Sequence, residues 1–77
     1  MDKKIYLLDK EFYTKEMVAN ITEKDLEEWV AEEDYNDNYT IVKIDANGYN
    51  DVNEAFVNEM PFADIEDYYV FAFGLSR

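Results

Sequence analysis

Seventy-seven residues with 19 acids, seven bases, no histidine and no cysteine carry a formal charge of −12. That composition removes the imidazole and thiol groups behind most nucleophilic and proton-transfer catalysis at neutral pH, and it rules out a disulfide-stapled framework. Hydrophobic residues at 48% lie above the level at which charge leaves a chain disordered, so one folded domain over residues 1–77 is expected.

Ile5-Tyr6-Leu7-Leu8 is a short apolar run flanked by charges and predicts a first strand. Four residues are too few for a signal peptide or a membrane span, which makes the cytoplasm the expected compartment. Residues 11–21 have no clean period and read as a connector with a turn of helix after Thr14. Thr22-Glu23-Lys24-Asp25 then has the form of a capping box with Asp in the place of Glu or Gln. Leu26, Trp29 and Val30 follow at i, i+3 and i+4, one apolar stripe of a helix that runs to about Glu33. Acids in its first turn suit the macrodipole, whereas Glu32 and Glu33 in its last turn oppose it.

Asp34-Tyr35-Asn36-Asp37-Asn38 is a turn by composition, and Tyr39–Ile44 is a β-branched second strand. After a loop at residues 46–50, Asp51 caps a second helix whose Val52, Ala55, Phe56 and Met60 share one face, and Pro61 ends it. Residues 68–74 are apolar on both alternating sets, which predicts a third strand covered on two faces and central in the sheet. The fold class is α+β: a β-α-β-α-β order with a three-stranded sheet packed with two helices. If the strands are parallel, right-handed crossovers leave two arrangements. Order 1-2-3 puts both helices on one face and leaves the other open. Order 1-3-2 makes the third strand central with the helices on opposite faces, and the apolar third strand favours it, or the first order with its open face covered by a partner. A mixed or antiparallel sheet is the remaining option.

No catalytic constellation emerges. The only serine is Ser76, and the two glycines, Gly48 and Gly74, form no phosphate loop. Carboxylates are plentiful, but raising the pKa of one requires a desolvated pocket that so short a chain rarely encloses. Residues 45–54 resemble a calcium loop in part. They depart from it at Tyr49 in position 5, at Gly48 in position 4 in place of 6, and at Phe56 where the bidentate Glu belongs. A polar strand-to-helix loop capped by Asp51 is the better reading, and weak calcium binding the alternative. No cofactor is expected. Lys43, in the second strand, is expected to snorkel or to pair with a neighbouring acid.

The densest signal is acidic. Glu23, Asp25, Glu27, Glu28, Glu32, Glu33, Asp34 and Asp37 are eight acids against Lys24 alone, a net of seven of the twelve negative charges. Glu23/Glu27 and Glu28/Glu32 are like-charged i, i+4 pairs, each about 6 Å apart along a helix axis. Such a row can imitate a phosphate backbone. The expected function is therefore a small non-enzymatic interaction module that meets a basic protein surface, as a nucleic-acid-mimic inhibitor. Its contact residues would be Glu23, Glu27, Glu28, Glu32, Glu33, Asp34, Tyr35, Asp37 and Tyr39. Direct nucleic-acid or membrane binding is not expected, because seven bases cannot outweigh 19 acids. The alternative is a homodimer or larger homo-oligomer that associates through an aromatic sheet face shared by Tyr6, Tyr39, Tyr69, Phe71 and Phe73, or through edge strands.

Overall fold

A computed structural model describes residues 2–32 and 40–76. The chain is α+β. Its elements are β1 (Lys4–Asp9), α1 (Lys15–Val18), α2 (Glu23–Ala31), β2 (Ile41–Asp45), α3 (Val52–Glu59), a 3-10 turn at Ile65–Asp67 and β3 (Tyr68–Phe73).

Local signals in the sequence set the helix starts. The Thr22 hydroxyl accepts from the Asp25 N–H at 3.2 Å, while the Asp25 carboxylate accepts from the Thr22 N–H at 3.1 Å, closing the capping box. Asp51 accepts from the Glu54 N–H at 2.7 Å to start α3, which stops at Met60, just before Pro61. Thr14 caps the single turn of α1 through the Met17 N–H. The expected end of α2 at Glu33 is corrected: Ala31 is its last residue, and Glu32 is a C-cap with extended backbone.

The sheet runs β2-β1-β3 and is antiparallel throughout. The expectation of a central third strand is therefore wrong: β1 is central and β3 is an edge. Apolarity on both sides of a strand reports two covering layers, and does not count ladder neighbours. Both parallel arrangements fall with it. β2 and β3 do point the same way, but α3 carries the chain between them over β1, so they never touch.

The helices do lie on opposite faces, as expected. Ile5, Leu7 and Ile44 pack with Val52, Ala55 and Phe56 of α3. On the other side Tyr6, Leu8 and Ile41 pack with Leu26 of α2 and with Tyr13 and Val18 from the connector. The run Ile5–Leu8 is 0% exposed, which makes β1 the floor of both layers.

Hydrogen bonds beyond the strand ends fix the phase of the ladder. Asp9 N–H donates to the Thr40 carbonyl at 3.0 Å and Ala46 N–H to the Lys3 carbonyl at 2.9 Å, so odd residues of β1 bond β2. Lys10 N–H donates to the Asp67 carbonyl at 3.0 Å, so even residues bond β3. It follows that Tyr69, Phe71 and Phe73 spend their backbone groups on β1. Tyr68, Val70 and Ala72 turn theirs outward, and the Tyr68 N–H is taken by the Ile65 carbonyl.

Candidate binding surface

The α2 stripe of Leu26, Trp29 and Val30 anchors the helix on the sheet and leaves its acids at the flanks and top. These acids are not equivalent. Glu27 pairs with Lys4 of β1, Oε1 to Nζ at 3.4 Å, and that hydrogen bond with its charge pushes the Lys4 ammonium pKa upward. Asp25 is engaged in the capping box. Glu28 and Glu32 are exposed at the carbonyl end of the helix, and no base stands in the last turn. Glu23 is half-buried and adds to the negative field at Lys4. Of the residues expected to meet a partner, the fold thus places Glu23 and Glu27 beside Lys4, and Glu28 and Glu32 at the free end. Glu33, Asp34, Tyr35, Asp37 and Tyr39 lie outside the described residues.

Beneath α2 sits Tyr6, fully buried, its hydroxyl without a hydrogen-bond partner among the described residues. Burial raises its pKa, Glu27 and Glu23 push it further up, and Lys4 opposes them. Phe73 meets the Tyr6 ring edge-on at 5.9 Å. Lys43 is exposed and lies over the same ring with Nζ at 5.9 Å, a cation–π contact compatible with the expected snorkelling.

Tyr6, Tyr69, Phe71 and Phe73 share the α2 face of the sheet, as the alternation implied. That face is not open, because α2 and the connector cover it. Among the described residues, what stays open is the side of β3. All six residues of β3 are half-buried and none is charged. A groove of about 610 Å³ runs along it, lined by Val52, Ile65, Tyr68 and Val70 and flanked by Lys10, whose ammonium lies 5.3 Å from the Tyr69 ring centre. Reading β3 as central hid this edge. No residue pattern reveals it, because Ile5–Leu8 and Tyr68–Phe73 are both apolar in both directions.

The loop that resembled a calcium site engages its exposed carboxylates with its own N–H groups. Asp45 accepts from the backbone and side-chain N–H groups of Asn47 at 3.2 and 2.8 Å, Glu54 accepts from the Asn50 N–H at 2.9 Å, and Asp51 caps α3. Among the described residues no group of three or more His, Cys, Asp or Glu could hold a metal ion. No helix among them is long and apolar enough to cross a membrane. Comparison with protein-family models, curated proteins and solved structures returns no match.

Proposed function

We propose that this protein is a non-enzymatic cytoplasmic interaction module that docks on a basic protein surface through the acids at the C-terminal end of α2, as a nucleic-acid mimic. The observation that carries the reading is charge at that end with no base paired to it among the described residues. Glu28 and Glu32 are exposed beside a helix terminus that is itself negative, with no base in the last turn. Glu33, Asp34 and Asp37 follow immediately in the sequence. This arrangement costs the isolated fold stability, and a cationic partner would recover it. Glu27 contributes least, because Lys4 already neutralises it.

The test is capture from host lysate at low salt on the immobilised protein, in parallel with its Glu28→Gln/Glu32→Gln variant. A basic protein held by the native chain, released by moderate salt and not retained by the variant supports the reading. Equal retention by both overturns it.

A further inference from the structure

Asn47 is the one asparagine of the chain followed by glycine; every other precedes a branched, aromatic or acidic side chain. The neighbour matters because an asparagine side chain can be attacked by the main-chain nitrogen of the next residue, and any side chain on that residue hinders the approach. Both Asn47 and Gly48 are exposed, and no heavy atom lies within 4 Å of where a Gly48 Cβ would stand, so solvent reaches the pair. The Gly48 N–H donates to no group among the described residues.

The folded chain nevertheless keeps the reacting atoms apart. Tyr49 N–H donates to the Ala46 carbonyl at 3.1 Å, closing a β-turn with Asn47 and Gly48 at its centre. Gly48 has φ +98° and Asn47 does not have positive φ, the signature of type II. Type II sets Asn47 ψ to about +120°, which leaves the Gly48 nitrogen about 120° from Cβ around the Cα–C bond; to reach Cγ the two must eclipse, at ψ of about −120°. Lys3 and Asp45 oppose that rotation. The Lys3 N–H donates to Asn47 Oδ1 at 3.1 Å, its carbonyl accepts from the Ala46 N–H at 2.9 Å, and its ammonium donates to the Tyr49 carbonyl at 3.2 Å. The Asp45 carboxylate accepts from the Asn47 N–H at 3.2 Å and from Nδ2 at 2.8 Å.

We infer that Asn47 is a deamidation site gated by the fold, which cyclises on to Gly48 only while the Ala46–Tyr49 turn is open and thereby makes that opening permanent. In the open turn the Gly48 nitrogen, deprotonated by hydroxide, attacks Asn47 Cγ. The new C–N bond forms as the Cγ–Nδ2 bond breaks, and Nδ2 leaves as ammonia with a proton from water. Water then opens the cyclic imide. Attack at Cγ leaves an ordinary aspartate, and attack at the main-chain carbonyl leaves an isoaspartate whose main chain runs through Cγ and is one carbon longer. Water is the only co-reactant, and nothing is oxidised or reduced. Either product adds a negative charge to a chain that already carries −12 and puts a carboxylate where Nδ2 had donated to Asp45. The isoaspartate also lengthens the turn that Lys3 holds, so its hydrogen bonds no longer register.

The experiment incubates the full chain in mildly alkaline buffer, once folded and once unfolded in guanidinium chloride at the same pH. Peptide mass spectrometry locates the deamidated residue, and isoaspartyl methyltransferase labelling counts the isoaspartate. The unfolded chain accumulates both products at residue 47 ahead of every other asparagine. The folded chain does so at least about tenfold more slowly, each tenfold corresponding to about 1.4 kcal/mol needed to open the turn. Asp45→Ala frees the Asn47 amide, so it deamidates faster than the native chain in the folded state and at the same rate in guanidinium. Modified molecules returned to native buffer melt at a lower temperature than unmodified ones. Equal rates in the folded and unfolded chain overturn the inference, as do earlier modification at another asparagine, an Asp45→Ala rate unchanged in the folded state, or an unchanged melting temperature after modification. If Asp45→Ala fails to fold, as circular dichroism would show, the folded and unfolded rates of the native chain still decide.

Discussion

Replacing Tyr6 by Phe should make this protein more stable. The Tyr6 side chain is fully buried, and its hydroxyl finds no partner among the described residues. A buried hydroxyl left unsatisfied costs about 1–3 kcal/mol relative to one in water. Phe keeps the ring, its edge contact with Phe73 and its place under α2, and removes only the oxygen. The expected gain is therefore about 1–3 kcal/mol, and at roughly 4–8 °C per kcal/mol for a domain of this size the midpoint should rise by at least about 4 °C. Urea unfolding followed by fluorescence of Trp29, the single tryptophan, would measure it. The same substitution should change the alkaline limb. Burial raises the Tyr6 pKa, so the unfolded chain ionises first as pH climbs past about 10, and stability falls from there until the folded phenol also titrates. Below pH 10 both states hold the proton and this group adds no slope. The Phe variant loses that part of the alkaline decline, while Tyr68, raised by burial and by Asp9 and Asp67, keeps a residue of it. A Tyr6→Phe protein less stable than the native one at neutral pH would refute the reasoning and show that the hydroxyl is satisfied.

Other consequences follow from the same packing. Leu26→Ala, at a fully buried position that ties α2 to the sheet, should cost about 2–5 kcal/mol in urea unfolding, a large part of the total stability of so small a domain. Thr22→Ala should cost about 1 kcal/mol by opening the capping box, and Thr22→Ser should restore most of it; equal loss in both would assign the effect to something other than the hydroxyl. Raising ionic strength from about 0.01 to 0.15 M shortens the screening length from about 30 to 8 Å. Since the chain carries −12, its melting temperature should rise over that interval, and a flat response would mean the acids are spaced too widely to repel one another.

Much of the fold was legible in the residues because the signals were local. The capping box at Thr22, the Asp51 cap, Pro61 and the 3.6-residue stripes locate α2 and α3 to within a residue or two. The two-sided apolar runs of β1 and β3 announce helices on both faces. Strand order was not legible, because it depends on which edges meet across the chain and alternation carries no information on edges. Ile5–Leu8 and Tyr68–Phe73 are alike in pattern, yet one is sealed on both flanks and the other on a single flank. The acidic surface was legible as a count of charges. What the count could not reveal is that Lys4, nineteen positions before Glu23, reaches across to Glu27 and divides the row into a compensated half and a free half.

The central position of β1 also sets the timing of folding. Its two ladder partners come later in the chain, and the last pair, Lys4 with Phe73, spans 69 residues (73 − 4). At synthesis rates of about 5–20 residues per second, the most apolar segment waits roughly 3–14 s for its final neighbour. During that interval Ile5–Leu8 is a bare hydrophobic strand on the nascent chain. Lys3 and Lys4 before it, and Asp9, Lys10 and Glu11 after it, are gatekeeper charges that hold it apart from like segments until the sheet can close.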